Sequence, residues 1–348
     1  MARQVEPHTI PPVTSDAFAP MEMRSVEKLP AEPGWQFEPK WDGFRCIAHR
    51  DGTEVRLRSK SGQPLARYFP EVVDALLEMS ADHFSLDGEL VVRYDGVPAF
   101  GVLQQRIHPA ASRVNMLARE TPAEYLVFDL LREDGEDRTA DPIERRRPAL
   151  EAFVAAHASA RIALSPATPS LTEAQTWLDD RSGGLDGVVA KKLGVAYAAG
   201  SRDGAIKVKR LRTADCVIGG FRFAKNSDTH VGSLLLGLFD DDGLLDYVGF
   251  CSAFSVEERG LLLERLRRYI GEPGFTGSAP DAAPSRWTRD RAADRSYIKL
   301  KQELVLEVSF DQVTGHRIRH GTRPLRWRTD KAPRSCTLDQ IVRPGGEE

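Results

Sequence analysis

A lysine stands close to two acidic residues and three positions before a glycine in the segment EPKWDGFR, residues 38–45. An ammonium group with a usual pKa near ~10.4 must lose its proton before it can attack phosphorus. Burial and neighbouring cations both lower a lysine pKa, so a lysine nucleophile needs a partly buried, cation-rich setting. The segment therefore predicts covalent nucleotide chemistry on Lys40. A single short motif remains a hypothesis that depends on the residues around it.

The segment AIKVK, residues 205–209, supplies two such cations. The alternation of a β-strand places Lys207 and Lys209 on one face and the two apolar residues on the other. We expect this pair to hold an α-phosphate and to lower the pKa of Lys40. The alternative is an exposed strand face whose lysines form salt bridges.

Carboxylates occur in two further motifs that we expect at strand ends: LDGEL, with Glu89, and LDGVVAKK, with Asp186. A carboxylate there can accept a hydrogen bond from a ribose hydroxyl or bind the divalent cation that phosphoryl transfer needs. The alternative is structural, because Asp-Gly is the commonest hairpin turn. The segment YLVFD adds Phe128, which can stack on a base or pack in the core.

The region from 314 to 334 is strongly basic, with seven Lys and Arg residues and a single acidic residue, Asp330. Such a balance can grip phosphates even though the whole chain has a net charge of −3. The alternative is a solvated basic tail.

The chain has 348 residues, enough for about two domains, with 41% hydrophobic and 28% charged residues. Its four cysteines lie far apart and show no zinc-binding spacing. No apolar run is long enough to span a membrane, and the start lacks the apolar core of a signal peptide. We expect a cytoplasmic protein without a membrane partner.

Two domains are expected from the change in pattern near residue 212. Residues 1–212, after a proline-rich extended lead-in, mix strands with helices predicted at 70–79, 99–107, 143–156 and 172–180, which indicates an α+β domain. Residues 213–348 contain short, closely spaced strands and one helix, predicted at 256–269, which suits a small β-barrel such as an OB-fold. A hinge is expected at residues 210–213.

Seven motifs, in order, resemble those of the covalent nucleotidyltransferases, specifically the minimal bacterial ATP-dependent DNA ligases of the ligase C type. They are EPKWDGFR, RSKSG, SLDGELV, YLVFDLL, LDGVVAKK, AIKVKR and RWRTDKAPRSC. The resemblance covers the chain from about residue 33. It implies an adenylation domain of antiparallel sheets flanked by helices, followed by an OB-fold domain.

The resemblance also implies residue roles. Lys40 resembles the lysine that attacks the α-phosphate of ATP to give lysyl-AMP. The nucleoside and phosphate contacts are implied for Glu38 on the adenine edge, Phe128 stacked on adenine, Glu89 on the ribose, and Lys207 and Lys209 on the α-phosphate. Arg45 resembles the arginine that meets a 5′-phosphate in DNA. Arg328, Asp330 and Lys331 resemble the element that orients the leaving pyrophosphate.

Two positions depart from the common pattern of these ligases. Lys60 stands where arginine is usual, so a bidentate donor becomes a monodentate one, and Arg58 on the same strand face is the alternative for this role. Asp186 stands where glutamate is usual, and we expect it still to bind the metal, together with Glu89.

The resemblance implies an enzyme that uses ATP and Mg²⁺ or Mn²⁺ to seal nicked or gapped duplex DNA in repair. The partners expected are the DNA and repair-pathway proteins, and the chain is expected to be a monomer associated with the nucleoid. Two alternatives remain open from the sequence. One is an RNA ligase or an mRNA-capping guanylyltransferase, and the other is a noncatalytic DNA-binding module.

Overall fold

The computed structural model describes residues 18–157, 159–180, 184–280, 296–319 and 321–341. The chain divides into two compact units, residues 1–210 and 211–348. Arg210 belongs to the first unit, because its backbone N–H donates to Asp186 O, whereas a long strand of the second unit begins at Arg212. Among the described residues, no helix is long and apolar enough to cross a membrane.

Two antiparallel sheets dominate the first unit. A four-stranded sheet has the order β1-β11-β10-β2, in which only the short β1 is parallel to its neighbour. The second sheet has the order β4-β3-β5-β7-β8, with β6 and β9 attached to its sides. The strands are β1 (Arg24–Val26), β2 (Trp35–Trp41), β3 (Phe44–Asp51), β4 (Glu54–Ser59), β5 (His83–Tyr94), β6 (Val97–Pro98), β7 (Ala123–Glu133), β8 (Glu136–Asp137), β9 (Ile162–Leu164), β10 (Leu185–Lys192) and β11 (Ala205–Lys209).

Helices flank these sheets, as the α+β prediction requires. They are α1 (Pro70–Glu78), α2 (Phe100–Gln104), α3 (Ala111–Glu120), α4 (Ile143–Ala156) and α5 (Leu171–Asp179). Three match predicted helices closely, but α2 is shorter than predicted and α3 was not predicted. The cap of α5 is Ser170, whose Oγ accepts from Glu173 N at 3.3 Å.

Neither Asp-Gly pair of the carboxylate motifs forms a hairpin turn, so that alternative is wrong. The strand-end prediction is wrong for Asp87-Gly88 but agrees with Asp186-Gly187, which lie at the start of β10. Asp87-Gly88 is in the middle of β5, where a Cβ on Gly88 would lie 2.6 Å from Leu126 O. Gly187 in β10 has φ +141°, and a Cβ there would lie 2.0 Å from Val208 O. These glycines permit close strand packing next to the acidic side chains.

The second unit is a curled antiparallel sheet around its own apolar core, in agreement with the predicted OB-fold domain. Its main path is β14-β13-β12-β16-β19, and β15 also pairs with β12. The elements are β12 (Arg212–Phe223), β13 (Val231–Phe239), β14 (Leu245–Cys251), α6 (Val256–Leu266), β15 (Ile298–Lys299), β16 (Val305–Phe310), β17 (Val313–Thr314), β18 (Arg317–Ile318) and β19 (Arg323–Trp327). Helix α6 begins with a capping box between Ser255 and Glu258. All four cysteines are free and buried.

Candidate active site

A cleft in the first unit is lined by residues of both sheets. Seven of the predicted site residues line it: Glu38, Lys40, Arg45, Lys60, Glu89, Phe128 and Lys207. Residues that the sequence did not single out also contribute, among them Met21, Glu22 and Lys191. The fold thus brings motifs that are up to 169 residues apart in the sequence, Glu38 to Lys207, into one cavity.

The register of the four-stranded sheet explains one wall of this cleft. Lys40 pairs with Gly187, which pairs in turn with Lys209 on the far side of β10. Glu38 and Lys207 form the next such row, with Val189 between them. Since directly paired residues of antiparallel strands share a face, these side chains extend from the same side of the sheet. Lys209, in the same row as Lys40, is not one of the residues that line the cleft.

Lys40 forms a short salt bridge with a carboxylate 146 residues further along the chain. Its Nζ donates to Oδ2 of Asp186, whose side chain is only 5% exposed. The pairing of β2 and β10 shifts register between Leu185 and Gly187, and Asp186 occupies this irregular position. The bulge therefore sets the carboxylate against the lysine.

The electrostatics of Lys40 differ from those predicted. Burial alone would lower its pKa, but Asp186 and, more weakly, Glu89 and Asp42 raise the pKa of Lys40 above its ordinary value. The prediction of a lowered pKa at this residue is therefore wrong. A lysine pKa is lowered instead at Lys207, first by burial and then by repulsion from Lys40 and two further lysines.

A buried lysine that was not predicted holds the predicted adenine-binding carboxylate. Lys191 Nζ lies 2.9 Å from Glu38 Oε1 and 3.3 Å from Asp129 Oδ2, and it donates to Phe128 O at 3.2 Å. Burial opposes ionisation of Asp129, but Lys191 and Arg146 prevail and lower the pKa of this carboxyl. Lys191 lies two residues after Val189 on β10, so strand alternation was the signal that could have identified it.

Phe128 lines the cleft instead of packing in the core, so the core alternative is excluded. The pairing of β5 and β7 shifts between Asp87 and Gly88, which leaves Phe128 as an extra residue in β7. The Nζ of Lys191 lies 4.9 Å from the centre of its ring, and the guanidinium carbon of Arg45 lies 5.5 Å from it. The ring thus has a fixed position between two cations.

Arg45 is anchored from behind by a buried carboxylate. Its Nε and Nη2 donate to the two oxygens of Asp87 at 3.1 and 2.7 Å, and its Nη1 donates to Met21 O at 2.5 Å. Tyr197 also donates to Asp87, at 2.6 Å. Arg45 pairs directly with Glu89 across β3 and β5, so both residues reach the cleft from one row.

Glu89 is a half-buried carboxyl group on this second wall of the cleft. Burial raises the pKa of Glu89 to about 8, despite the opposing influence of Lys40 and Arg45. A carboxyl in this setting can donate or accept a hydrogen bond near neutral pH, which suits a contact with a hydroxyl group.

Lys60 stands where arginine is usual in the ligases that the sequence resembles. Its side chain lines the cleft, and that of Arg58 does not. Lys60 Nζ lies 3.9 Å from Glu22 Oε1, and Glu22 is also bonded to Arg202 at 2.9 Å. Arg58 donates to Gly62 O at 3.3 Å and is not among the cleft-lining residues. Of these two residues, the geometry favours Lys60 for a contact inside the cleft.

The cleft carboxylates fit a divalent cation that is held partly by phosphates. In the portion of the chain that the structure describes, no group of three or more His, Cys, Asp or Glu residues could form a metal cage. Mg²⁺ is usually bound by one or two carboxylates together with substrate phosphates and waters. Glu89 lines the cleft, and Asp186, though not one of the lining residues, is bonded to the cleft residue Lys40; both are suitable carboxylates.

The remaining predicted residues belong to the second unit and form a salt-bridge cluster of their own. Arg328 donates through Nε and Nη2 to Asp330, both at 2.9 Å, and through Nη1 to Asp215 at 2.9 and 3.0 Å. Lys331 Nζ lies 3.2 Å from the same Asp215. The hydrogen bond from Arg328 lowers the pKa of Asp330 to about 2. These cations are paired and positioned, which argues against the simple basic tail.

Comparison with known proteins identifies the family. Residues 20–209 match the family model for an ATP dependent DNA ligase domain, and residues 227–331 match that for the ATP dependent DNA ligase C terminal region. The chain is 43% identical to DNA ligase C2 of Mycolicibacterium smegmatis, over 96% of each chain. It is 41% identical to DNA ligase C of Mycobacterium tuberculosis, over 96% of this chain and 95% of the relative.

A solved Lig E DNA ligase shares the fold, with a TM-score of 0.54 and 17% identity over 88% of this chain and all of that one. The sequence matches span both units, and the cleft residues lie in the first of them. The chain therefore belongs to the ATP-dependent DNA ligase family, and within it to the bacterial ligase C type.

Proposed function

We propose that this ligase seals breaks between a 5′-phosphate and a 3′-hydroxyl in duplex DNA through a lysyl-AMP intermediate on Lys40, and that it acts in DNA repair. The observation that carries the proposal is the convergence on one cleft of a lysine nucleophile with separate groups for a base, a ribose and a phosphate. Such a set fits a nucleoside triphosphate bound with its α-phosphate close to Lys40.

In the first step, the Lys40 amine attacks the α-phosphorus of ATP. A P–N bond forms, the bond between the α-phosphorus and its bridging oxygen breaks, and pyrophosphate leaves. Lys40 must first lose a proton. Asp186 opposes this loss by raising the pKa of Lys40, and its Oδ2, which is bonded to Nζ, accepts the proton as the P–N bond forms. A bound Mg²⁺ would offset the negative charge of Asp186 and of the phosphates. Lys207, beside this row, supplies a cation for the α-phosphate.

The base wall of the cleft favours adenine over guanine. Glu38 receives hydrogen bonds from Lys191 and Gln36 on one oxygen, Oε1, which holds its carboxylate in place. A carboxylate accepts a hydrogen bond from the exocyclic amine of adenine, whereas it would face the carbonyl oxygen of guanine. Phe128 provides the ring on which the base stacks. This argues for ATP and against the guanylyltransferase alternative.

In the second and third steps, AMP passes to the 5′-phosphate of the break, and the 3′-hydroxyl then attacks that phosphorus and releases AMP. Arg45 and Lys60 are cations of the cleft that can contact a DNA phosphate, since both are held from one side by carboxylates. In the second unit, Arg328, Asp330 and Lys331 are proposed to orient the leaving pyrophosphate of the first step. The partner is thus nicked or gapped duplex DNA.

The proposal is tested by replacing the nucleophile with a residue that keeps its charge. Lys40→Arg retains a cation opposite Asp186, but a guanidinium is always protonated and cannot attack phosphorus. Incubation with α-labelled ATP and Mg²⁺, followed by a denaturing gel, should label the wild type and not this variant. Lys192→Ala changes an exposed lysine at the end of β10 and should be labelled normally.

Label on Lys40→Arg that resists denaturation would refute the assigned nucleophile. Sealing of nicked DNA and of nicked RNA by the wild type, with ATP or GTP, separates a DNA ligase from the RNA ligase and capping alternatives. Preference for RNA or for GTP would contradict the proposed substrate. Failure of the wild type to form any adenylate would support the noncatalytic alternative.

A further inference from the structure

The salt-bridge cluster of the second unit is built around a residue that no motif includes. Asp215 lies on β12 and contacts two of the three predicted pyrophosphate-orienting residues at once. Its oxygens accept from Arg328 Nη1 at 2.9 and 3.0 Å, and Oδ2 lies 3.2 Å from Lys331 Nζ. Only two residues separate Arg328 and Lys331, and both follow the end of β19. A common acceptor therefore fixes the distance between their side chains.

Glu307 Oε2 lies 3.7 Å from Arg328 Nη1, and the two carboxylates that accept hydrogen bonds from Arg328 differ sharply in exposure. The Asp215 side chain is 11% exposed, whereas that of Asp330 is 66% exposed. An exposed ion pair is weak and exchanges easily, whereas charge-assisted hydrogen bonds to a sheltered carboxylate are strong. Asp215 is therefore the lasting anchor, and Asp330 is the partner that an incoming anion can replace.

The backbone of Asp215 is itself clamped. Gln340 accepts from Asp215 N through Oε1 at 2.9 Å and donates through Nε2 to Asp215 O at 3.2 Å. Arg212 donates to the carbonyl oxygens of Gln340 and Ile341 at 3.3 and 3.1 Å. One side-chain amide thus completes both hydrogen bonds of this strand residue, which leaves Asp215 little freedom to move.

Asp215 holds the two cations and still leaves donors for a ligand. A guanidinium has five N–H groups and an ammonium has three. The contacts to Asp215 and Asp330 leave at least one N–H of Arg328 and two of Lys331 for an anion. The cluster can therefore bind phosphate oxygens without breaking its attachment to Asp215.

We propose that Asp215 is the positioning residue that holds Arg328 and Lys331 in the geometry required for pyrophosphate departure during self-adenylylation. The inference rests on the proposed role of Arg328 and Lys331 in the first step. Asp215 contacts no reacting atom in this scheme, and it acts through the two cations that it holds.

The test compares two reactions of the full-length protein. One is single-turnover formation of lysyl-AMP with α-labelled ATP and Mg²⁺, and the other is sealing of a synthetic nick that already carries AMP on its 5′-phosphate. Asp215→Asn should slow adenylylation roughly 10- to 100-fold, the range expected when charged hydrogen bonds are weakened. Sealing of the adenylylated nick should change by less than about 2-fold. Asp215→Glu, which keeps the charge, should recover part of the adenylylation rate.

Glu257→Gln changes an exposed acidic residue of α6 and serves as the matched control, with wild-type rates expected in both assays. Asp215→Asn should also add no further loss in a protein that already lacks Arg328 and Lys331, because it acts through them. Thermal unfolding of each variant verifies that the second unit is folded.

Wild-type adenylylation by a folded Asp215→Asn protein would overturn the inference, as would equal losses in the two reactions. If the Asp215→Asn protein does not fold, Gln340→Ala tests the same geometry with the carboxylate intact. It should give the same selective loss of adenylylation. Lys331→Ala tells the two failures apart. If it reduces adenylylation selectively and Asp215→Asn does not, the inference fails alone; if Lys331→Ala is not selective, the proposed role of the cluster fails.

Discussion

Replacing Gly187 by alanine should damage both the stability and the chemistry of the first unit. Gly187 has φ +141°, in a region that residues other than glycine rarely adopt, which costs on the order of 1–3 kcal/mol. The added Cβ would also lie 2.0 Å from Val208 O and 3.0 Å from Lys209 Cα, both of them backbone atoms of β11. Overpacking of this kind costs roughly 1–3 kcal/mol more.

Taken together, the structure predicts that Gly187→Ala destabilises the unit by about 2–6 kcal/mol. For a unit of this size, that corresponds to a melting temperature lower by roughly 4–24 °C. Since Gly187 lies between Lys40 and Lys209 in one row of the sheet, displacement of β11 should also slow lysyl-AMP formation. Calorimetry measures the first effect, and labelling with α-labelled ATP measures the second.

Alanine substitutions at two other glycines distinguish backbone strain from steric overlap. Gly96 has φ +80° and nothing within 4 Å of an added Cβ, so Gly96→Ala introduces strain alone, about 1–2 kcal/mol. Gly43 has no positive φ, but its Cβ would lie 2.3 Å from Leu90 O, so Gly43→Ala introduces overlap alone. A loss of stability in Gly187→Ala no larger than that in Gly96→Ala would refute the reasoning, because it would show that the approach of β11 imposes no constraint.

The remaining predictions concern buried charges of the cleft. The pKa of Glu89 is raised to about 8 in the fold from an ordinary 4.5, so its contribution to stability is complete below pH 4.5 and is lost as pH rises to about 8. Glu89→Gln should therefore gain stability relative to the wild type across that interval in urea unfolding, and a difference independent of pH would contradict this. Lys191→Met should destabilise the unit by about 3–5 kcal/mol, because it leaves Glu38 buried without its cation and leaves Asp129 with Arg146 alone. Lys192→Met, at an exposed neighbouring position, should change stability by less than about 0.5 kcal/mol, and equal losses in both variants would argue against the buried ion-pair network.

Much of the fold follows from local pattern. The short apolar runs of β5, β7 and β10 predict strands that are buried almost throughout, and the periodicity of α4 predicts a helix with one buried stripe. Helix α3 was missed because the segment is polar overall. Its three buried residues, Val114, Leu117 and Ala118, nevertheless recur at helical spacing, and this stripe was the signal that could have identified it.

The sequence alone identified Lys40, Glu89 and Lys207 as candidate site residues, because each belongs to a short motif whose spacing lies within a single strand, and the fold brings all three into one cleft. Tertiary structure alone decided their electrostatic state. Asp186 is 146 residues from Lys40 in sequence, and a register shift between two strands sets it against the amine and raises its pKa. Lys191 and Asp215 escaped prediction for the same reason. Their importance comes from burial and from partners that are distant in the sequence, and Coulomb interactions depend on distance in space.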